Sequence, residues 1–436
     1  MSVVVSSKKQ GEENPNMASH SQVIYTGIEI GTATIKVAIC SVADDYHIKL
    51  LGWGESPSIK VIKGEVKDRE FVCQQLARAA KQAEAEAQIP ISETFVTLSV
   101  GGRFVSLVPT DGTVTFETGS MQITKEHIDA ALKQAIYTPK DNSQAVDNGY
   151  IRFYRLNKDE ILLSPPIGRY STYLQVQKES IVFERQYLEE YASMVADLIE
   201  GPPNAIAYTP RALPLAAFQQ QSDETPSEGF LLIDIGAGVT SYVLYTGRGI
   251  FTMGQITVGC DHAANDLAID FSLHINTTRK ILRDFENLHC SVIPKDYGRS
   301  RYIAVEKDIN GSTENIAVDR VEQVVYLRFQ ELFNNINNKI KEEDAWQWAT
   351  GGVMICGGGA RIPQILELAS EVFKRPVTIA RTYDVEGRED VVNSPTALVP
   401  LGLVRFGKHT YDIEEQNHSQ DTAGKVKNFI IQLLNW

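Results

Sequence analysis

The sequence predicts an α/β fold built as two lobes, and three stretches predict it. Residues 230–248, FLLIDIGAGVTSYVLYTGR, run apolar to Asp234, turn through Gly236-Ala237-Gly238, and resume as a second β-rich run over 242–245. An apolar run, a small-residue turn and a second apolar run make a hairpin signal. Residues 25–42, YTGIEIGTATIKVAICSV, repeat the pattern: aligned on the turn, Glu29 falls opposite Asp234, Gly31 opposite Gly236, and Ile28 and Ile30 opposite Ile233 and Ile235. Near the end of the chain, GGVMICGGGARIPQILELASEVF reads as an apolar strand, three glycines and a helix.

Each stretch has a chemical reading. A bulky side chain in either hairpin turn would block close approach of a ligand, whereas small residues leave a concave row of N–H donors suited to phosphate oxygens. That picks out Gly31, Thr32 and Ala33 on one side and Gly236, Ala237 and Gly238 on the other. Asp234, at the mouth of the second turn, is placed to orient a hydrated Mg²⁺. Two such hairpins facing each other grip a triphosphate from both sides. The turn Gly357-Gly358-Gly359-Ala360, with Arg361 and Pro363 opening the helix, offers backbone N–H groups at a helix start. Taken singly, one hairpin is equally an ordinary turn with a flexible tip, and a glycine-rich strand-to-helix turn is common in α/β proteins. Their order along one chain is what favours a nucleotide site. The chain carries neither G-x-x-x-x-G-K-[ST] nor G-x-G-x-x-G, so the P-loop and dinucleotide-binding alternatives lack their key residues.

Composition sets the outer limits. A length of 436 residues allows about three domains, and 43% hydrophobic content suffices for sizeable cores. No apolar run approaches the roughly 18 residues of a membrane-spanning helix, and residues 1–22 lack the apolar centre of a signal peptide and read as a disordered tail. Five cysteines without a C-x-x-C pair suit a reducing compartment, with the cytoplasm as default. A net charge of -13 and the lack of a basic run interleaved with aromatics argue against nucleic acid as a partner. Cys260 with His262, and His289 with Cys290, invite a metal reading, but neither pair has the supporting ligands of a zinc site.

In chain order, residues 23–102 form the first lobe, which resumes over 191–229 and 395–408. Its elements are the first hairpin, strands within 45–66, an alanine-rich helix over 71–86 and a strand over 93–102 ending in paired glycines. Residues 103–190 form an inserted α+β subdomain, with one helix capped near Thr124 and the segment Pro166-Ile167-Gly168. The second lobe comprises 230–258 and 350–394. Its outer subdomain, 259–349, contains a basic helix beginning near Asn276 and a long amphipathic helix over 319–341.

Residues 409–421 are polar and acidic and read as a linker to a terminal helix, 422–436. At about 100° per residue, Val426, Phe429, Ile430, Leu433, Leu434 and Trp436 share an arc of roughly 160°, with Asn428, Gln432 and Asn435 opposite. Lys425 and Lys427 flank that arc, so their stems can lie along apolar surface while the ammonium groups reach phosphate headgroups. A terminal helix docked on the protein's own core is the plain alternative. The aperiodic segment before it favours a tethered, membrane-contacting helix.

With these residues in view, the chain resembles the FtsA family of actin-like bacterial cell-division proteins over about residues 23–408 plus the terminal helix. IEIGTATIKVA, the inserted domain with its Pro-Ile-Gly segment, LLIDIGAGVTSYVLYTGR, GGVMICGGGARIP and the amphipathic tail carry the resemblance. It implies an actin-like two-lobed ATPase fold in which the insertion replaces a subdomain of actin. It further implies ATP with Mg²⁺ between the lobes, with Gly31, Thr32, Ala33, Lys36, Asp234, Gly236, Ala237, Gly238, Gly357, Gly358, Gly359 and Arg361 around the nucleotide. Self-assembly into filaments, binding of FtsZ through the lobe around 259–349, other division proteins as partners, and a place on the cytoplasmic face of the membrane at the division site are implied as well. Two departures bear on turnover. The family's DIGGGT motif, followed one residue on by a second acid, stands here with Val239 and Ser241, and Thr209 precedes Pro210 where actin-like proteins often place Glu or Gln. Thr is a poor group for orienting an attacking water, so binding with slow or absent hydrolysis is expected. An actin-like scaffold of type IV pilus assembly and a small-molecule kinase share the fold and remain as alternatives. The first need not carry a lipid-binding tail, and no motif specifies a kinase's catalytic carboxylate.

Overall fold

Each hairpin strand is apolar on both sides of its pleat, and such strands must be covered on both faces. In the computed structural model this holds: Ile24–Ile30, Thr34–Val42, Phe230–Ile235 and Thr240–Thr246 are buried along most of their length. The structure describes residues 23–117, 119–157, 159–218, 228–293, 301–306 and 312–420, the last five by backbone alone. The tail expected over 1–22 and the terminal helix expected over 422–436 lie outside these residues.

Among the described residues the first lobe is a six-stranded sheet in the order Ala205–Tyr208, Phe95–Val100, Ile24–Ile30, Thr34–Val42, Ile48–Pro57 and Val385–Glu386. The second is a five-stranded sheet in the order Val377–Ile379, Gly352–Cys356, Phe230–Ile235, Thr240–Thr246 and Gly249–Ile256. The first five positions correspond one for one. In both sheets two parallel strands precede a three-stranded antiparallel meander, so one plan is used twice.

Helix Arg69–Ala87 covers one face of the first sheet, started by Asp68, whose carboxylate accepts the Phe71 N–H at 3.1 Å. Its alanines bring it very close: a Cβ added at Gly54 would lie 1.8 Å from the Ala79 carbonyl oxygen, so only glycine fits there. Helix Leu398–Gln420 covers the other face. From it the buried Arg405 donates to the carbonyls of Tyr46 (3.0 Å), Leu215 (2.8 Å), Ala216 (3.4 Å), Tyr383 (2.6 Å) and Asp384 (3.2 Å). Burial pulls this guanidinium down to about 10, and a fan of backbone acceptors is what keeps it tolerable.

Two sequence boundaries shift. Val385–Glu386, assigned to the second lobe, pairs in parallel with Ile48 and Lys49 of the first, and Val391 joins the first lobe's core. Residues 409–420, expected as a linker, continue the last helix. Side-chain pairs explain the second change: Lys408 binds Asp412 at 2.6 Å, Tyr411 binds Glu415 at 2.7 Å, and the Tyr411 ring meets Tyr25 and Phe95 edge-on. One tyrosine ring with two aromatic neighbours replaces the apolar stripe that periodicity looks for.

The inserted subdomain is a four-stranded antiparallel sheet among the described residues, from Val105–Thr115, Gln144–Leu156, Glu160–Leu162 and Tyr173–Glu184. Helix Lys125–Gln134 packs on it over a small core of Ile128, Ala131, Tyr154, Leu174 and Val176. Thr124 caps that helix as expected, in a reciprocal box with His127. Arg152 docks the subdomain on the second lobe through the Phe251 carbonyl (2.9 Å) and Glu343 (2.5 Å), while also holding Glu179 of its own sheet (3.2 Å). In the outer part of the second lobe, helix Val318–Glu342 matches the expected amphipathic run and pairs with helix Cys260–Phe271 through Arg320–Asp270 and Arg328–Asp266.

Candidate functional site

The two hairpin turns meet. A Cβ on Gly238 would lie 2.7 Å from the Thr32 hydroxyl oxygen, so the tip of one turn rests on the tip of the other. The third glycine turn closes in from the side: Gly357 has φ +82, and a Cβ there would lie 2.2 Å from an Asp234 carboxylate oxygen. Gly357 requires glycine, and any side chain at Gly238 would have to displace Thr32. At Gly358 nothing lies within 4 Å of such a Cβ, leaving the backbone open to the space between the lobes.

That space is a cleft of about 850 Å³, a suitable size for a nucleotide-sized ligand. Of the residues the sequence singles out, Gly31, Thr32, Ala33, Lys36, Asp234, Gly236, Ala237, Gly357, Gly358 and Arg361 line it. Gly238 lines a smaller adjoining cavity instead. Gly359 lines neither; a Cβ there would lie 2.4 Å from Ile235 and 3.2 Å from the Cys260 sulfur, so it serves packing. The expected row of phosphate-facing donors is also shorter than it reads. The N–H groups of Gly31 and Gly236 close their own turns on the carbonyls of Thr34 and Val239, both at 3.0 Å. The carbonyls of Gly236 and Ala237 accept the N–H groups of Cys260 (3.0 Å) and Asp261 (2.8 Å), tying the second turn to the start of helix Cys260–Phe271.

Three charged side chains sit at the floor. Glu29 and Lys36 are cross-strand partners in the first hairpin and pair at 2.8 Å. Burial pulls the Lys36 ammonium down, but Glu29 outweighs it and holds the lysine above its usual range. The register partner of Asp234 is Ser241, which carries no charge. Asp234 is pushed up to about 7, first by burial and then by the Glu29 carboxylate, against a smaller pull from Lys36. Two carboxylates sharing one ammonium form a donor set that is short one positive charge, and a divalent cation would supply it. Among the described residues no three His, Cys, Asp or Glu side chains converge on a metal position. A cation here would therefore complete its shell from ligand oxygens and water, as Mg²⁺ commonly does beside phosphates.

The other end of the cleft comes from residues the sequence reading did not select. Helix Ile275–Arg283 contributes Asn276, Arg279 and Arg283, and Glu286 follows it. Arg279 is held by Asp261 in a two-point contact of 2.9 and 2.8 Å, and Arg361 donates to Ser394 at 2.9 Å. The strongly amphipathic, basic run from Asn276 was the available signal. The paired Cys and His residues behave as ordinary side chains: His262 accepts the Gly259 N–H at 3.1 Å as a helix cap, and burial pushes the Cys260 thiol up to about 12.

A protein-family model described as cell division protein FtsA matches residues 231–402. The FtsA of Buchnera aphidicola subsp. Schizaphis graminum is 23% identical over 426 residues, covering 96% of this chain and 98% of that protein. The FtsA of Escherichia coli (strain K12) is 21% identical over 420 residues, covering 95% and 97%. The FtsA of Pseudomonas aeruginosa is 24% identical over 397 residues, covering 90% and 91%. Among solved structures, the PilM-PilN type IV pilus biogenesis complex aligns with a TM-score of 0.57 at 18% identity, over 88% of this chain and 99% of that one. MreB 5 of Spiroplasma citri bound to AMPPNP aligns with a TM-score of 0.52 at 13% identity, over 91% and 99%. The expected actin-like fold is thereby shown.

Proposed function

We propose, from the premise that the chain belongs to the FtsA family of cell-division proteins, that it binds ATP with Mg²⁺ between its lobes, assembles into filaments and tethers FtsZ filaments to the cytoplasmic membrane at the division site. The observation that carries the nucleotide part is the convergence of three glycine turns on one cleft whose floor holds Glu29, Lys36 and Asp234. Asp234 would hold the hydrated Mg²⁺, Lys36 would neutralise Glu29 and face the phosphates, and the turns at Thr32-Ala33, Ala237-Gly238 and Gly357-Gly358 would take the phosphate chain and nucleoside. When bound, Mg²⁺ would supply the missing positive charge and ATP the lobe-to-lobe contact. Ser241 lacks a carboxylate and Thr209 is a weak group for orienting water, so nucleotide acts chiefly as a structural and assembly ligand. Calorimetry on the full chain tests this: Mg²⁺-dependent ATP binding that weakens in Asp234→Ala supports it, and a folded protein without ATP affinity refutes it.

The membrane part rests on residues 422–436, which lie outside the described residues, and on their amphipathic pattern. Each apolar side chain of the arc is worth about 1.5–3 kcal/mol if fully buried, and less at an interface. Each of the two lysines adds roughly 1 kcal/mol near anionic lipid. A single copy then binds reversibly, while many copies along one filament hold firmly because later contacts are effectively intramolecular. Co-sedimentation with liposomes and FtsZ, with and without 422–436, is the direct test. Phe429→Glu with Leu433→Glu releases the protein from liposomes with its melting temperature unchanged; a double mutant that still floats, or that melts in parallel, refutes the tether.

A further inference from the structure

Beside the main cleft lies a second cavity of about 80 Å³, sharing with it Glu29, Gly31, Thr32, Asp234, Gly236 and Ala237. It is too small for a nucleoside. Two or three waters, or one phosphoryl group, would fill it. Its remaining wall includes Gln255, from strand Gly249–Ile256 of the second lobe. The Gln255 side-chain carbonyl accepts the backbone N–H of Gly102 in the first lobe at 2.6 Å, and its amide nitrogen donates to the Ser241 hydroxyl at 2.9 Å. Because a backbone N–H only donates, the oxygen must face Gly102, which fixes the orientation of the amide. The neighbouring glycine permits the approach: a Cβ on Gly101 would lie 2.7 Å from both polar atoms of Gln255.

A glutamine amide has two donor and two acceptor positions, and these two bonds use one of each. One N–H and one lone pair are left, on a side chain that borders the carboxylate pair and bridges the lobes. We propose that Gln255 is the residue through which this site distinguishes a nucleoside triphosphate from a diphosphate, its spare N–H donating to the terminal phosphate at the small cavity. The inference rests on the nucleotide reading above. It also gives a role to the space left by Ser241: a carboxylate at that position would stand where the Gln255 amide now donates.

Equilibrium affinities for AMPPNP and ADP, each with Mg²⁺, decide the matter by calorimetry on the full chain. The wild type prefers AMPPNP. Gln255→Ala weakens AMPPNP by about tenfold, the usual worth of a hydrogen bond to a charged group, and leaves ADP within about twofold. Gln255→Glu separates phosphate reading from a packing role. It keeps an oxygen to accept from Gly102, and the Ser241 hydroxyl can rotate to donate, but it removes the donor and adds negative charge. A purely structural role lets the added charge weaken AMPPNP and ADP alike. Phosphate reading makes it the weakest AMPPNP binder of the three, and this variant carries the test if the alanine form does not fold. An AMPPNP-to-ADP ratio in Gln255→Glu equal to that of the wild type overturns the inference and leaves nucleotide binding standing. A wild type that binds neither nucleotide removes both.

Discussion

The two lobes share one strand order and one hairpin plan, yet they treat their acidic residue in opposite ways. In the first, the cross-strand partner of Glu29 is Lys36, and the pair closes at 2.8 Å within the lobe. In the second, the cross-strand partner of Asp234 is a serine, and the carboxyl is pushed up to about 7. One copy is balanced alone and the other is left short of positive charge at the shared cleft. A duplicated fold can thus keep its geometry while assigning structural neutrality to one copy and ligand demand to the other. On the proposed function, the demand costs stability without ligand and would become binding energy with a cation bound.

Removing the lysine breaks this asymmetry most severely. Lys36→Met leaves Glu29 and Asp234 facing each other with no cation in a site where Lys36 is only 8% exposed. Loss of one member of a buried ion pair costs about 3–5 kcal/mol, and denaturant titration at neutral pH should show that loss, reduced at low pH where the carboxylates protonate. The opposite sign is expected from Asp234→Asn. A carboxyl whose folded value is raised from 3.8 to about 7 favours the fold fully below pH ~4, and this contribution is lost as pH rises towards 7. Without nucleotide, Asp234→Asn should therefore be more stable than wild type at pH 8, on the order of 2 kcal/mol, and should flatten the melting profile between pH 4 and 7. On the proposed function, the same variant should lose Mg²⁺-dependent nucleotide affinity, a trade of function for stability.

Ser241→Asp sharpens the comparison by restoring a second acid opposite Asp234. We expect it to raise the carboxyl further, lower the stability of the nucleotide-free protein by about 1 kcal/mol, and tighten Mg²⁺ binding in the presence of ATP, read by magnesium titration of the calorimetric signal. The smallest effect is expected at the far end of the cleft. Arg279 is already paired with Asp261 and partly exposed, so Arg279→Ala should weaken nucleotide only severalfold, by about 0.5–1 kcal/mol, with little change in melting temperature.

The equivalence of Glu29 with Asp234, and of Gly31 with Gly236, is legible in the sequence because a hairpin is local: its turn, its strands and its register lie within about twenty consecutive residues. Gln255 is not legible. Its role exists only where a strand of one lobe, a serine on the neighbouring strand and a glycine loop of the other lobe meet, and the nearest of those partners is 14 residues away. The pairing of Val385–Glu386 with the first lobe has no local signature either, being two residues long and parallel. Helix Ile275–Arg283 is visible as a basic amphipathic segment, but the face it turns to the cleft depends on tertiary packing. At 409–420, one local charge pair and one tyrosine support a helix that apolar periodicity does not detect.

Arg405 sets an order on synthesis. Its guanidinium gathers carbonyls from Tyr46, Leu215 and Tyr383, and the earliest of these precedes it by 359 positions. At about 5–20 residues per second, a ribosome exposes Tyr46 roughly twenty to seventy seconds before its partner is made. Once Tyr208 is made, the first lobe has five of its six strands but still lacks the helix that covers one face. Local pairing can begin early, whereas closure waits for the last part of the lobe to emerge. A translation pause between residues 216 and 405 would prolong an open apolar sheet, and a message cut short in that stretch would leave it permanently exposed to other chains. The lobe whose acid is balanced is, during its manufacture, the one left unfinished longest.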